Sequence, residues 1–442
     1  MLLIPPQHSL PLKFLKIHKE LSDKKILGPY TKLLTFPDEP QFFRYACYKH
    51  SSNRRMKSIL GSGISDDEGQ AFVASIAEAV EQYCILTDQR KRFILDSYDN
   101  LQEDAINPIR FTPFSLDQLA QPNFKKFRVT TKSRLYWVKG YSLTRKRNVL
   151  VPASVVFSDY ARGGHQPILR MKISNGAACG PDKDFAIYRG LCEIAERDSY
   201  MNCFIANMPL NIINFKNDPE MSRLIRRITR YDIEVHCLNT SLDTSVFTTA
   251  CFLLDRTGSG PAVCTGIGGS MSPQRAVKMA IYEALRRHVL ARDWFFSQIP
   301  NPMPPVSSVH WFLAQKQLIW SAPHMIKQAQ KYLHGANMSF DQIVRERSKL
   351  LSRLTSDKEK VDYLVEEFNH IGCEAVYVDV TTPEISAIGL SVVRVLVPEM
   401  VPLSRDGRYP YLGVQRLNQF SKKYPHTMQP DKEIDMFTEH PF

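Results

Sequence analysis

Two glutamates three residues apart recur on helix-like stretches, Glu78/Glu81 in AEAVEQYC and Glu193/Glu196 in LCEIAERDSY. Residues at i and i+3 share a helix face, so each pair aims two carboxylates at one point. Small and apolar neighbours put that face against a core, and a glycine-containing segment, read as a turn, precedes each pair. A third segment, GIGGSMSPQRAVKMAIYEALRRH, repeats the grammar and carries Glu283 beside Arg286, Arg287 and His288. Taken singly, these units could be amphipathic helices with solvated acidic faces. Taken together, they favour a site where divalent metal bridges carboxylates and a polyanion.

Length and composition bound the fold. The 442 residues suffice for one large domain or two intimate halves, and 43% hydrophobic with 23% charged residues is ordinary for a globular chain. No stretch reaches the roughly 20 apolar residues of a bilayer span, and the first residues lack a signal-peptide pattern, so a cytoplasmic location is expected. The nine cysteines contain no CxxC and sit mostly in apolar segments, as buried thiols of a reducing compartment do. Neither HExxH nor a paired Cys/His spacing points to zinc. The net charge of +12 is scattered, with no helix-turn-helix or zinc-finger pattern. It suits an acidic peptide partner and nucleotide phosphates better than nucleic acid.

The chain orders itself as α+β with mostly antiparallel sheets. Residues 1–45 are proline-rich and basic and read as an N-terminal arm or a docking strand; residues 46–442 read as the main domain. Helices are expected over QAFVASIAEAVEQYCIL, from about Asp184 (a plausible cap) through LCEIAERDSY, over PEMSRLIRRITRY and over DKEKVDYLVEEFNHIG. Strands are expected at RLYWVKGYSL, NVLVPASVVF, IEVHCLNTS, SVFTTACFLLD, EAVYVDVTT and AIGLSVVRVLVP, with an irregular end closing on His440-Pro441-Phe442.

No GxxxxGK[ST] loop is present, and a lone GIGGS is too weak for a dinucleotide fold. SNGAACG followed by ExxERD, with the upstream acidic helix and the downstream glycine–helix–Glu segment, resembles the YcaO family over roughly residues 45–442. The segments VPASVV and VVRVLVPEMVPL and the terminal HPF also fit its patterns. The resemblance implies a YcaO-type fold whose helices carry the glutamates of a nucleotide and metal site. It implies ATP and Mg2+ as cofactors, with Glu78, Glu81, Glu193 and Glu196 as metal ligands. Arg197 would neutralise phosphate charge, unless it forms a structural salt bridge to Asp198 or another acid. Asn175 and Gly176 would lie near the nucleotide or form an ordinary left-handed turn. Glu283 would supply the third helix's acid or be a solvated glutamate. Pro441 and Phe442 would reach into the active site.

The implied activity is cyclodehydration of Cys, Ser or Thr in a ribosomally made precursor peptide to thiazoline or oxazoline, by phosphorylating the backbone amide oxygen. That oxygen is otherwise a poor leaving group, and positioning with charge neutralisation does most of the work of phosphoryl transfer. Implied partners are the precursor peptide, an E1-like leader-binding subunit, for which this chain leaves no room, and an FMN-dependent dehydrogenase; no membrane is involved. Thioamide- or amidine-forming chemistry and a catalytically silent peptide-binding scaffold are the alternatives. Several family positions are substituted. Ala74 and Ala178 replace serines, Gln82 an arginine, Ile64 a lysine, Phe185 a glutamate and Met279 an arginine, and Arg286 and His288 stand for glutamine and arginine. Either ATP is held by other residues here, or catalysis has been lost.

Overall fold

In the computed structural model, residues 10–51, 58–87, 89–101, 105–158, 166–296, 316–404 and 407–423 are described. The first half runs α1 (Leu12–Asp23), β1 (Leu27–Lys32), β2 (Phe43–Lys49), β3 (Ile59–Ser65), α2 (Glu68–Leu86), β4 (Ile94–Ser97), α3 (Tyr98–Leu101), α4 (Leu116–Ala120), β5 (Arg134–Ser142), β6 (Arg147–Pro152), α5 (Ala153–Val156), β7 (Ala177–Gly180) and α6 (Lys183–Ile205). The second continues with β8 (Asn211–Asn214), α7 (Pro219–Thr229), β9 (Ile233–Asn239), β10 (Phe247–Asp255), β11 (Val263–Ser270), α8 (Pro273–Phe296), α9 (Met325–Gln330), β12 (Asn337–Ser339), α10 (Phe340–Leu351), α11 (Asp357–His370), β13 (Val376–Asp379), α12 (Pro383–Ala387), β14 (Ser391–Leu396) and α13 (Gln415–Lys423).

The strands form three sheets, in orders β1-β2-β3, β11-β10-β9-β8-β12 and β4-β5-β13-β14-β7, with β6 also on β5. Among these strands only β8 and β12 pair in parallel, so the expected α+β architecture with mostly antiparallel sheets is the one observed. No described helix is long and apolar enough to cross a membrane.

Three long helices hold the sheets together. Helix α2 packs on β3 and reaches β7, α6 packs on β7, β14 and β11, and α8 packs on β11, β10 and β3. The glycines expected in turns before α2 and α8 instead lie inside strands β3 and β11. A Cβ at Gly61 would stand 2.3 Å from Ser75 O, and one at Gly266 would stand 2.1 Å from Ala280 O. Only glycine lets these strands approach their helices so closely, and in sequence that requirement looks like turn chemistry.

Other boundaries shift for local reasons. Helix α6 is capped by Asp182, not Asp184, its carboxylate accepting from Phe185 N at 2.8 Å. The strand through NVLVP stops at Pro152, and Ala153–Val156 forms a helical turn. The expected irregular end contains α13. Residue 45 falls inside β2, and Ile17, Leu21 and Leu27 share a core with Phe72 and Ile76 of α2. The described part of the first 45 residues is therefore packed into the domain and is not a free arm, because α1 and β1 bury their apolar faces there.

Candidate active site

Helices α2, α6 and α8 present their acidic faces to one cleft of about 1130 Å³, lined by Glu78, Glu81, Glu193, Glu196, Arg197 and Glu283. The first cleft glutamate of each helix accepts a backbone N–H from a strand or turn outside that helix. Ser62 N donates to Glu78 Oε2 at 2.8 Å, Gly176 N to Glu193 Oε2 at 3.1 Å, and Ile267 N to Glu283 Oε2 at 3.2 Å. One oxygen of each carboxylate is thus held by a strand or turn, leaving the other for the cleft.

The second glutamates carry the strain of the site. Burial pushes the Glu81 carboxyl well above the usual carboxylate range, and Glu193 and Glu78 push it further. Glu196 is only 3% exposed, and burial raises it to about 7 against the pull of Arg197. Glu283 behaves oppositely. Burial raises its pKa, but Arg287, Arg197 and Arg286 together hold it below its ordinary value. It is not the solvated glutamate of the alternative reading.

Arg197 pairs with the site and not with its neighbour Asp198: Nη2 lies 3.4 Å from Glu193 Oε1, and Nε 3.3 Å from Glu196 Oε1. Asp198 binds Arg416 instead, through Nε at 3.0 Å and Nη2 at 2.7 Å. Asn175 and Gly176 do not line the cleft. Gly176 takes the left-handed conformation, at φ 80°, and acts by anchoring Glu193. Asn175 is buried behind it beside Arg170 and Arg197, its Nδ2 without a partner. Pro441 and Phe442 lie outside the described residues.

Two cations were missed in the sequence. Arg189 lies one helical turn before Glu193 and lines the cleft, with Nη1 buried and unpartnered and Nη2 3.5 Å from Met279 Sδ. Its i−4 spacing from a site glutamate was the available signal. Arg394, only 1% exposed on β14, donates from Nη2 to Ile173 O at 2.6 Å. Burial and the neighbouring Arg170 lower it to about 9, while Glu193 and Glu81 hold its charge. An arginine inside the apolar run VVRVLV was its signal.

Among the described residues no three His, Cys, Asp or Glu groups close on one point, so an all-protein cage is not formed there. The oxygen donors of these carboxylates, whose charge the neighbouring arginines compensate only in part, fit a hard divalent cation.

Residues 61–401 match the family model described as YcaO cyclodehydratase, ATP- and Mg2+-binding. The chain belongs to the YcaO family. An uncharacterised protein of Methanothermobacter thermautotrophicus is 32% identical over 157 residues, 34% of this chain and 40% of that protein. Among solved structures, a heterocyclase in complex with substrate and cofactor matches with a TM-score of 0.69 at 20% identity, over 95% of this chain and 56% of that one. YcaO from Methanopyrus kandleri, bound with AMPPCP and Mg2+, matches with a TM-score of 0.63 at 18% identity, over 90% and 92%. The chain thus spans 40% of the curated relative and little more than half of the heterocyclase. At these identities the structural likenesses show the YcaO fold.

Proposed function

We propose that this chain is the ATP-dependent cyclodehydratase of a peptide-modifying system, forming thiazoline or oxazoline from Cys, Ser or Thr of a ribosomally made precursor. The observation that carries the reading is the facing of Glu78/Glu81 and Glu193/Glu196 across one cleft, each pair anchored and only partly compensated. Glu78, Glu81, Glu193 and Glu196 would hold Mg2+, which would supply positive charge against the negative charge of a bound polyphosphate.

The chain's own residues do the rest. Glu78, Glu81, Glu193 and Glu196 are the proposed ligands, and Arg197 is held by two of them with its donor fork in the cleft. Arg189 stands against Met279, where the family resemblance expects an arginine, so α6 resupplies that cation. Arg275 and Lys278 line the same wall and extend the positive lining for a polyphosphate. On the peptide, the side-chain thiol or hydroxyl gives up its proton as it adds to the preceding carbonyl carbon, and the former carbonyl oxygen takes the γ-phosphoryl group of ATP with ADP leaving. Phosphate then departs as the amide nitrogen loses its proton and the C=N bond forms. The net loss is one water per ring.

Phosphate release and ring formation by Glu193→Gln and Glu81→Gln test the reading. Both variants should fold, by circular dichroism, and lose precursor-dependent ATP hydrolysis at least a hundredfold, about 2.7 kcal/mol of barrier. Near-normal turnover in both would overturn the metal assignment. Mass change separates cyclodehydration from thioamide formation, which exchanges oxygen for sulfur. Tandem mass spectrometry separates it from an intramolecular amidine, which also loses one water, by whether the modified residue is Cys, Ser or Thr or an amine-bearing residue.

A further inference from the structure

Arg197 lines two cavities. One is the glutamate cleft. The other, of about 10 Å³, is walled by apolar side chains of α6, of β14 and of the segment after β14, and its polar lining is Arg170, Asn175 and Arg197. No carboxylate is among the described residues that line it. A space of this size holds one particle about as large as a water.

Its polar groups lack partners. Asn175 is only 2% exposed, and its Nδ2 is buried without an acceptor. Arg394 shares one face of β14 with Leu396 of the cavity wall. Its Nη2 is taken by Ile173 O, two residues before Asn175, while Nε and Nη1 are buried and unpartnered. Burial disfavours the charge of Arg170, and Tyr411 is the group that supports it. Arg197 spends its ion pairs on Glu193 and Glu196. Buried donors without acceptors are costly, and neighbouring like charges add to that cost. A water could accept from Asn175 but would leave Arg170 and Arg394 opposed. An anion satisfies the amide and relieves both guanidiniums.

We propose that this cavity is a built site for one small monovalent anion of halide size, held by Asn175 Nδ2 and by the guanidiniums of Arg170 and Arg394. It adjoins Arg197 and the turn whose Gly176 N anchors Glu193, and it needs nothing bound in the cleft.

Crystals of the full chain grown in sodium bromide locate the ion by its anomalous signal. Thermal unfolding in sodium chloride against sodium gluconate, at equal ionic strength, reads its binding in solution. Wild type should show a bromide peak in the cavity at hydrogen-bonding distance from Asn175 Nδ2, and chloride should raise its Tm by about 2–4 °C over gluconate. Arg170→Met keeps most of the side-chain bulk without its charge and should lose both the peak and the chloride effect. A water in the cavity, with bromide absent or only at the surface, would overturn the site. So would a peak without any chloride effect, which is binding at crystal concentration only, or a peak and chloride effect unchanged in folded Arg170→Met. If that variant does not fold, the two wild-type readings decide.

Discussion

Glu196 shows how a single side chain can cost stability in the service of a site. It is buried, and its charged form is disfavoured enough to raise its pKa to about 7. The folded pKa lies above the unfolded one, so the stability this group contributes is full below about pH 4.5 and is lost as pH rises toward 7. Glu196→Gln should therefore raise the metal-free stability at pH 8 by about 1–3 kcal/mol and leave it nearly unchanged at pH 4. Urea denaturation at the two pH values checks this, and an equal effect at both would exclude the linkage. The i, i+3 spacing made all four proposed acidic ligands legible in the sequence. Their raised pKa values were not, because burial and the approach of Glu193 to Glu81 arise only when α2 and α6 pack in the same cleft.

At the scale of elements, the site helix α6 is tied to α13, the last described helix, by a buried ion pair. Arg416 of α13, 4% exposed, grips Asp198 and also donates to Asp243 Oδ1 at 2.8 Å. Asp198 follows Arg197 directly, so this pair fixes the rear of α6 while Arg197 faces the cleft. Arg416→Ala leaves Asp198 charged and buried, and the expected loss is roughly 3–5 kcal/mol. A fall in the denaturant midpoint measures it; a loss below about 1 kcal/mol would mean that α13 is not anchored through this pair. The sequence pattern shows the length and acidic face of α6 but places its cap two residues late. It also read the glycines of β3 and β11 as turns, since close strand–helix contact and left-handed backbone demand the same residue.

For the whole molecule, the proposed chemistry needs parts beyond the cleft. A precursor peptide must be held while its amide is activated, and a leader-binding partner subunit would supply that proximity. Ring formation, read by mass spectrometry as water losses, should be at least tenfold faster with the partner than with the chain alone. In the same assay, deleting Glu439–Phe442 should slow ring formation at least tenfold, about 1.4 kcal/mol of barrier, with a smaller change in precursor affinity. Unchanged ring formation in the truncated chain would remove the tail from the proposed mechanism.

The sequence by itself determined which residues carry the acidity, that three units share one pattern, and that the strands are mostly antiparallel, because hydrophobic periodicity and i, i+3 spacing are local properties. Only the tertiary structure decided which of those acids meet. It brought Arg189 to Met279, set Arg394 behind Glu81 and Glu193, turned Asn175 away from the cleft, and closed three strand–helix units around one site. Those outcomes depend on contacts between residues far apart in the chain, fixed by glycines that let helix and strand backbones touch and by burial that no single segment can encode.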